Sequence, residues 1–553
     1  MLAATGHETL HHPTIGRIRG MRRSPEVDQY LGIQYATLKD RFSRGELPQY
    51  DPSDTDGALN ATKFGPLPLS SPKSCELEYG HIQKSLPYTP LPQSDTKCLT
   101  LNISAPSSSG PGKFPVMVIV HGGAFTAGSS SFPQYDLFRI TQMSVSLGMP
   151  VVSVGINYRL GAPGFLYSGA MKQAGYKPNN GLDDQRLALL WIKHHISGFG
   201  GDPDSVTLVG ESAGAVSGCF HLHSPEPLFH QLVAMSGTSI PRRKPVEQGK
   251  VSYNSVVEVL GAKRLSPTGQ IQRLLDTSRE DFVNSVGRRF PIGPLIEGDI
   301  IPQSTSFMAL SDSGELLKLF PGLLRCKRVL MADCQMDGMI FNARVAGRTD
   351  ILATTLGRCL STIFNPIDSK IAPAILSAYR VDVSATANTR ETIEPILNLG
   401  NDIMFALPTR AFVKAWAAAS IAGTEAFLAH FNCPNPWDGP WNGHATHILD
   451  IAFVLQNYRE SLSGGQAQCA ERYAKDIIAF VNGMSPWTAY QDIVSPGSMV
   501  YFAAEHSSKD DSRFVSTEAP ELTGRRDYIQ TIVGEKLFDK LADAWDMFMA
   551  APR

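Results

Sequence analysis

The chain has few cysteines and almost no net charge. Eight cysteines in 553 residues are too few for a disulfide-stapled scaffold. None forms a CxxC pair or a zinc-ligand spacing, so no metal or other cofactor is expected. Lysine and arginine number 50 against 52 aspartates and glutamates, a net charge of −2. That gives no electrostatic case for binding nucleic acid or an anionic membrane surface. No run of 18 apolar residues occurs, so no membrane-spanning helix is expected. Residues Met1 to Leu10 lack a basic start and an apolar stretch. A secretory signal is therefore not expected there, and the location expected is intracellular for a full-length chain or secreted for a mature form. What is plentiful is apolar: 42% of residues are hydrophobic, enough for a large core.

The sequence around Ser212 carries chemistry. Val206 to Val209 is a short β-branched run, and Gly210-Glu211-Ser212-Ala213-Gly214 follows it directly. A strand, a sharp turn and small residues on each side of a serine form a nucleophile elbow, which lifts a hydroxyl clear of the backbone. A serine alone is a poor nucleophile, so such presentation implies a base and an anion-stabilising site nearby. Among 48 glycines the five-residue pattern alone is weak; the strand before it and the helix-compatible Ala215 and Val216 after it give it weight.

A second element supplies the anion site. Pro115 to Val120 reads as a fully buried strand and runs into His121-Gly122-Gly123-Ala124-Phe125. Small residues at a strand end let backbone N–H groups point at a ligand oxygen. The expected oxyanion donors are Gly123 and Ala124, with Ala213 after the nucleophile. Each such donor contributes about 3 kcal/mol of transition-state stabilisation.

Further motifs follow in order. They include Leu31 to Ala36 with Arg41-Phe42, Cys98 to Asn102, Asn157 to Leu160 with Gly164 to Leu166, Asn180 to Leu189, and Phe199 to Pro203. Together with the Gly122 loop and the Ser212 elbow, they make the chain resemble the type-B carboxylesterases. That branch of the α/β-hydrolases includes fungal and bacterial esterases, lipases and cholinesterases, and fungal members are the likeness here. The resemblance implies a large, mostly parallel central sheet with helices on both faces. It implies one catalytic domain over residues 1–553, with helical cap insertions near 240–320 and 350–420. The residues themselves read as antiparallel strands at 13–35, a Pro- and Ser-rich loop at 68–97, alternating strand and helix at 114–240, strands at 328–332 and 424–431, and a closing helix at 536–549.

The resemblance also places the remaining catalytic groups. In this fold the chain order is serine, acid, histidine. Asp337, before Gly338 and after the run Val329 to Ala332, falls on the family's acid position, where many relatives carry glutamate. Asp333 is its competitor. His447, followed three residues later by Asp450, falls on the base position, with His444 close by. Glu211 is expected to tune the local field, and Ser236 to support the acid. His121 should brace the oxyanion loop, and Arg159 and Asp184 should form structural ion pairs, because buried charges need partners. Cys75 and Cys98 match a disulfide of secreted relatives. The sequons at Asn60 and Asn102 point weakly the same way, although Asn102 falls in an expected strand.

The function these parts imply is hydrolysis of a small-molecule carboxylic ester through an acyl-enzyme on Ser212, with small lipophilic or secondary-metabolite esters as the expected class. The short loop between Cys75 and Cys98 favours an esterase over a lidded interfacial lipase. Two alternatives use the same fold: an acyltransferase or lactone-forming enzyme with the same triad, and a non-catalytic binding member.

Overall fold

The computed structural model describes residues 6–52, 57–107, 113–240, 244–419, 421–490, 497–504, 508–515 and 525–551. Residues Met1 to Thr5 of the N-terminal segment, and 241–243 within the first expected insertion, lie outside the described residues.

The β-branched runs form one sheet. Its strands are β1 (Gly6–His12), β2 (Gly16–Ser24), β3 (Val27–Gln34), β4 (Leu59–Asn60), β5 (Thr100–Pro106), β6 (Phe114–Val120), β7 (Val152–Ile156), β8 (Gly201–Glu211), β9 (Gln231–Met235), β10 (Arg328–Cys334), β11 (Glu425–Phe431), β12 (Ser498–Tyr501) and β13 (Arg513–Val515). Their order is β1-β2-β3-β5-β7-β6-β8-β9-β10-β11-β12-β13, with β4 beside β2. From β7 to β12 every neighbouring pair is parallel. The strands outside that block are antiparallel to their neighbours, apart from the short β4.

A parallel block needs cover on both faces, and uncharged runs such as Val116 to Val120 meet that need. Successive side chains of a strand face opposite ways. Val116, Val118 and Val120 enter one core together with Leu208, Met331 and Leu428. Met117 and Ile119 enter the other with Val209, Leu330 and Phe427. Helices Asn180–His195, Ala213–His221, Leu407–Ala418 and Phe538–Ala550 cover the first face through Trp191, Val216, Trp416 and Trp545. Helices Phe138–Ser146 and Gly464–Val481 cover the second through Ile140 and Tyr473. Each fully buried aliphatic side chain of these layers contributes about 1.5–3 kcal/mol. The expected α/β architecture with helices on both faces is therefore present.

Two local expectations are corrected. Residues 68–97 are not all loop: Ser74–Ile82 is a helix, because its prolines flank the segment and leave the turn-forming stretch free. Cys75 and Cys98 are not joined, and both are buried free thiols. The new helix turns Cys75 toward Gln134, whose Oε1 accepts from the thiol at 3.9 Å, within the second core. Cys98 packs into the first core, on the opposite face of the sheet.

Candidate active site

Open α/β sheets collect their functional groups at the carboxyl ends of the parallel strands. Ser212 follows β8, the Gly122 loop follows β6, Asp337 follows β10, and His447 lies in the connection after β11.

Ser212 adopts φ +53° and ψ −118°, a conformation that costs a non-glycine residue about 1–3 kcal/mol and needs surroundings that enforce it. Those surroundings are visible. The Ser212 N–H donates to Met235 O at 2.8 Å, and Ser212 O accepts from Val216 at 3.0 Å. A Cβ on Gly210 would stand 2.3 Å from Gly214 C, and one on Gly214 only 1.9 Å from Val120 O. Both glycines of the elbow are required by close approach of backbone to backbone. The serine itself is half-buried.

The strand-end loop beside it turns through three successive left-handed residues, Gly123 (φ +100°), Ala124 (φ +55°) and Phe125 (φ +62°). Gly123 O closes the turn by accepting from Thr126 and Ala127, both at 3.0 Å. Within the described residues the N–H groups of Gly123, Ala124 and Ala213 make no hydrogen bond, so all three are free to donate. Gly122 packs on the elbow: a Cβ there would lie 2.2 Å from Glu211 Oε2 and 2.9 Å from Ser212 Cβ. His121 braces the loop from beneath. Its Nδ1 lies 2.9 Å from Gly122 O, its ring stacks on Tyr158 at 4.6 Å, and Tyr158 donates to His121 O at 3.0 Å. Burial lowers this imidazole to about 4, so it stays neutral.

Asp337 and His447 meet. Asp337 Oδ1 lies 2.7 Å from His447 Nδ1, and Asp337 Oδ2 accepts from the Cys334 N–H at 2.8 Å. The two loops are stitched together beside this contact. Met336 pairs with Thr446 as a parallel bridge, and the Met336 N–H donates to Ala445 O at 2.9 Å. Asp333 is committed elsewhere: its Oδ2 lies 2.9 Å from His430 Nδ1, its register partner on β11. His444 is half-buried, 3.9 Å from Glu394.

The other ring nitrogen, His447 Nε2, lies 3.2 Å from Glu211 Oε1, on the residue preceding the serine. That oxygen makes no hydrogen bond within the described residues. Burial alone would lower His447; the adjacent Glu211 charge and the Asp337 hydrogen bond outweigh it, and the imidazole stands above its ordinary value. Burial raises Glu211 well above the usual carboxylate range.

Two further carboxyls converge here that sequence reasoning gave no role. Asp450 is fully buried, accepts from the Ser236 hydroxyl at 3.4 Å, and is pushed up to about 7 by burial and then by Asp337. Glu78 accepts from Gln134 at 2.7 Å and is pushed up to about 8 by burial. Ser236 thus reaches Asp450 and Cys334, not the Asp337 carboxyl. A π-helical turn, Asp402–Ala406, presents the Phe405 ring 5.5 Å from the His447 ring. Just before it, Asn401 accepts from the Gly338 N–H at 2.9 Å and anchors the acid loop. No local pattern announces this turn; Glu78 and Asp450 could be found only by asking which acids lack a charged partner. A separate cavity of about 200 Å³, lined by Phe307, Leu407, Lys414 and Phe538 among others, holds none of these groups.

The carboxylesterase family profile matches residues 7–496. Para-nitrobenzyl esterase of Bacillus subtilis is 36% identical over 273 residues, 49% of this chain and 51% of that one. The chain thus spans about half the length of that relative, and likewise 53% of Lipase 1 of Geotrichum candidum. Lipase 4 of Diutina rugosa is 40% identical over 77% of this chain and 82% of its own. The inactive carboxylesterase-like protein VdtD of Byssochlamys spectabilis is 35% identical over 83% and 81%. A thermophilic para-nitrobenzyl esterase structure superposes with a TM-score of 0.71 at 23% identity, covering 95% of this chain and all of that one; it speaks for the fold. The fold is that of an α/β-hydrolase, and the chain belongs to the carboxylesterase family.

Proposed function

We propose that the protein hydrolyses carboxylic esters through an acyl-enzyme on Ser212. The observation that carries this reading is the Asp337–His447 contact of 2.7 Å, placed beside a strained serine and three free N–H donors. Ser212 Oγ attacks the ester carbonyl as His447 Nε2, leaving its contact with Glu211, takes the proton. Asp337 holds the imidazole in the required tautomer and stabilises its cation. The tetrahedral oxyanion forms against Gly123, Ala124 and Ala213. His447 then protonates the departing alcohol, and water repeats the cycle on the acyl-enzyme. Ser212, Asp337 and His447 are the catalytic residues; Glu211 supports them from beside the imidazole, and Ser236 acts on the buried Asp450. The substrates are small lipophilic or secondary-metabolite esters, taken by a single catalytic domain, and eight cysteines with no disulfide among them support a reducing compartment.

A non-catalytic reading draws on the relative named inactive. Turnover of p-nitrophenyl acetate, butyrate and octanoate, with fluorophosphonate labelling mapped by mass spectrometry, separates the readings. Hydrolysis lost in Ser212→Ala and His447→Ala, with label on Ser212, is the expected result. A wild type that is neither labelled nor active is the binding protein. Labelling, with acyl transfer outrunning hydrolysis when an alcohol is added, is the transferase.

A further inference from the structure

Asp337 reaches His447 from a loop whose two ends are held by different parts of the molecule. Before the acid, the Cys334 N–H donates to its carboxyl and the Met336 N–H donates to Ala445 O. After it, Gly338 sits on the end of helix Arg390–Asn401, which runs without a break into the π-helical turn Asp402–Ala406. A Cβ on Gly338 would collide with Leu397 O and lie 3.0 Å from Asn401 N, and one on Gly400 would collide with the Trp545 ring. The helix end is therefore pressed between the acid loop and the closing helix Phe538–Ala550.

One chain of hydrogen bonds crosses this junction. The Gly338 N–H donates to Asn401 Oδ1 at 2.9 Å. Asn401 Nδ2 donates to Asp402 Oδ1 at 3.1 Å. Asp402 Oδ2 accepts from the hydroxyl of Tyr379, just past helix Ile371–Ala378, at 2.7 Å. All three side chains are buried. The direction of the chain follows from the groups in it: a backbone N–H only donates and a carboxylate only accepts. Asn401 stands between the two, so its nitrogen must face Asp402 and its oxygen Gly338. The flipped amide would set N–H against N–H and oxygen against carboxylate, with no water to relieve either. Asp402, fixed by Tyr379, thus fixes the amide, and the amide fixes the peptide that follows the acid.

We propose that Asn401 is a positioning residue for catalysis: through the Gly338 N–H it sets the reach of Asp337 to His447, with its amide oriented by the Asp402–Tyr379 pair. The proposal rests on the esterase reading and concerns the same triad. Its test measures p-nitrophenyl butyrate turnover against pH for the wild type, for Asn401→Leu, and for the double variant Asn401→Asp with Asp402→Asn. Leucine keeps the volume but offers no acceptor. The double variant exchanges the two side chains: the carboxylate now accepts from Gly338, and the amide donates to it while accepting from Tyr379. Rates are taken per serine titrated to completion with a fluorophosphonate, which removes differences in folded fraction. Asn401→Leu should lower kcat by about 10–100-fold, as a small misplacement of a catalytic group does, with KM held within about threefold. Its kcat/KM limb should move to lower pH, because the Asp337 hydrogen bond helps to raise His447 while Glu78, Glu211, Asp450 and His81, which also act on the imidazole, are unchanged. The exchange should bring kcat back to within about fivefold of wild type. A fall in Tm with per-serine kcat and the limb unchanged within about twofold, or a loss that the exchange does not recover, would overturn the proposal alone. Absence of both labelling and turnover in the wild type would overturn the esterase reading and this proposal with it.

Discussion

Two of the buried groups of charges in this molecule are built on opposite plans. Arg159 and Asp184 form a closed pair, with contacts of 2.8 Å from Nε and 2.7 Å from Nη2. The Arg159 Nη1 donates to Ser43 O at 2.6 Å, and its backbone N–H to Asp184 at 3.0 Å. One cation faces one anion, and their side chains are 1% and 0% exposed. Around His447 the sums do not close: Glu78, Glu211, Asp337 and Asp450 surround a single imidazole. Glu211 leaves an oxygen without a hydrogen bond within the described residues. The first group has no choice of where its protons sit. The second has several, and that freedom is what a proton-transferring site requires.

The largest effect that would break this comparison is at the acid. Asp337→Asn keeps the shape of the carboxyl but stabilises the wrong imidazole tautomer, and triads lose about 10³–10⁴ in turnover by such a change. Asp333→Asn disturbs the pair with His430 and should lower turnover by less than about tenfold. Side-by-side kcat/KM values check both, and the reverse ranking would move the acid to Asp333.

The closed pair should respond in the other observable. Asp184→Ala leaves Arg159 buried without its partner, which costs about 3–5 kcal/mol of stability. Urea unfolding measures the loss. Turnover per fluorophosphonate-titrated serine should stay close to wild type, because the pair lies in the scaffold. A variant of normal stability with lost per-site turnover would show that the two groups are one network.

Much of this contrast was legible in the sequence, and the part that was not has a physical reason. The elbow, the Gly122 loop and the order serine, acid, histidine are local or ordinal patterns, so Ser212, Asp337 and His447 could be named before any geometry. Arg159 and Asp184 could be anticipated because buried charges need partners. Glu78 comes from a segment that reads as a loop, and Asp450 from a helix start. Their convergence on one imidazole is a property of the folded sheet ends. The π-helical turn under Phe405 leaves no trace in composition. The choice between Asp333 and Asp337 rests on strand register, which sets Asp333 opposite His430.

A smaller effect sharpens the comparison at Glu211. In the proposed mechanism His447 must be neutral to accept a proton, and it stands above the ordinary imidazole value of about 6.5. Below its own value it keeps its proton, so kcat/KM should rise with pH along a limb placed above that of a free imidazole. Glu211→Gln removes one source of the upward shift, and the limb should move to lower pH. Asp337 remains, so activity should survive. A limb that stays in place would mean that Glu211 is neutral throughout the working range.

The smallest effect expected is at Cys75 and Cys98. The likeness to secreted relatives would join them, and a disulfide closing a loop of this length contributes about 3 kcal/mol. The structure separates them by the sheet itself, each thiol packed in its own core. Burial raises both thiols to about 12, which leaves almost no thiolate to begin an exchange. Adding dithiothreitol should therefore leave Tm where it is, and thiol counting after denaturation should find all eight cysteines free. A Tm that falls on reduction, with a Cys75–Cys98 peptide pair in the unreduced digest, would place the bond back in the fold. The helix Ser74–Ile82 would then have to give up its packing to let Cys75 cross to the other face, which loosens the Glu78–Gln134 contact beside the base.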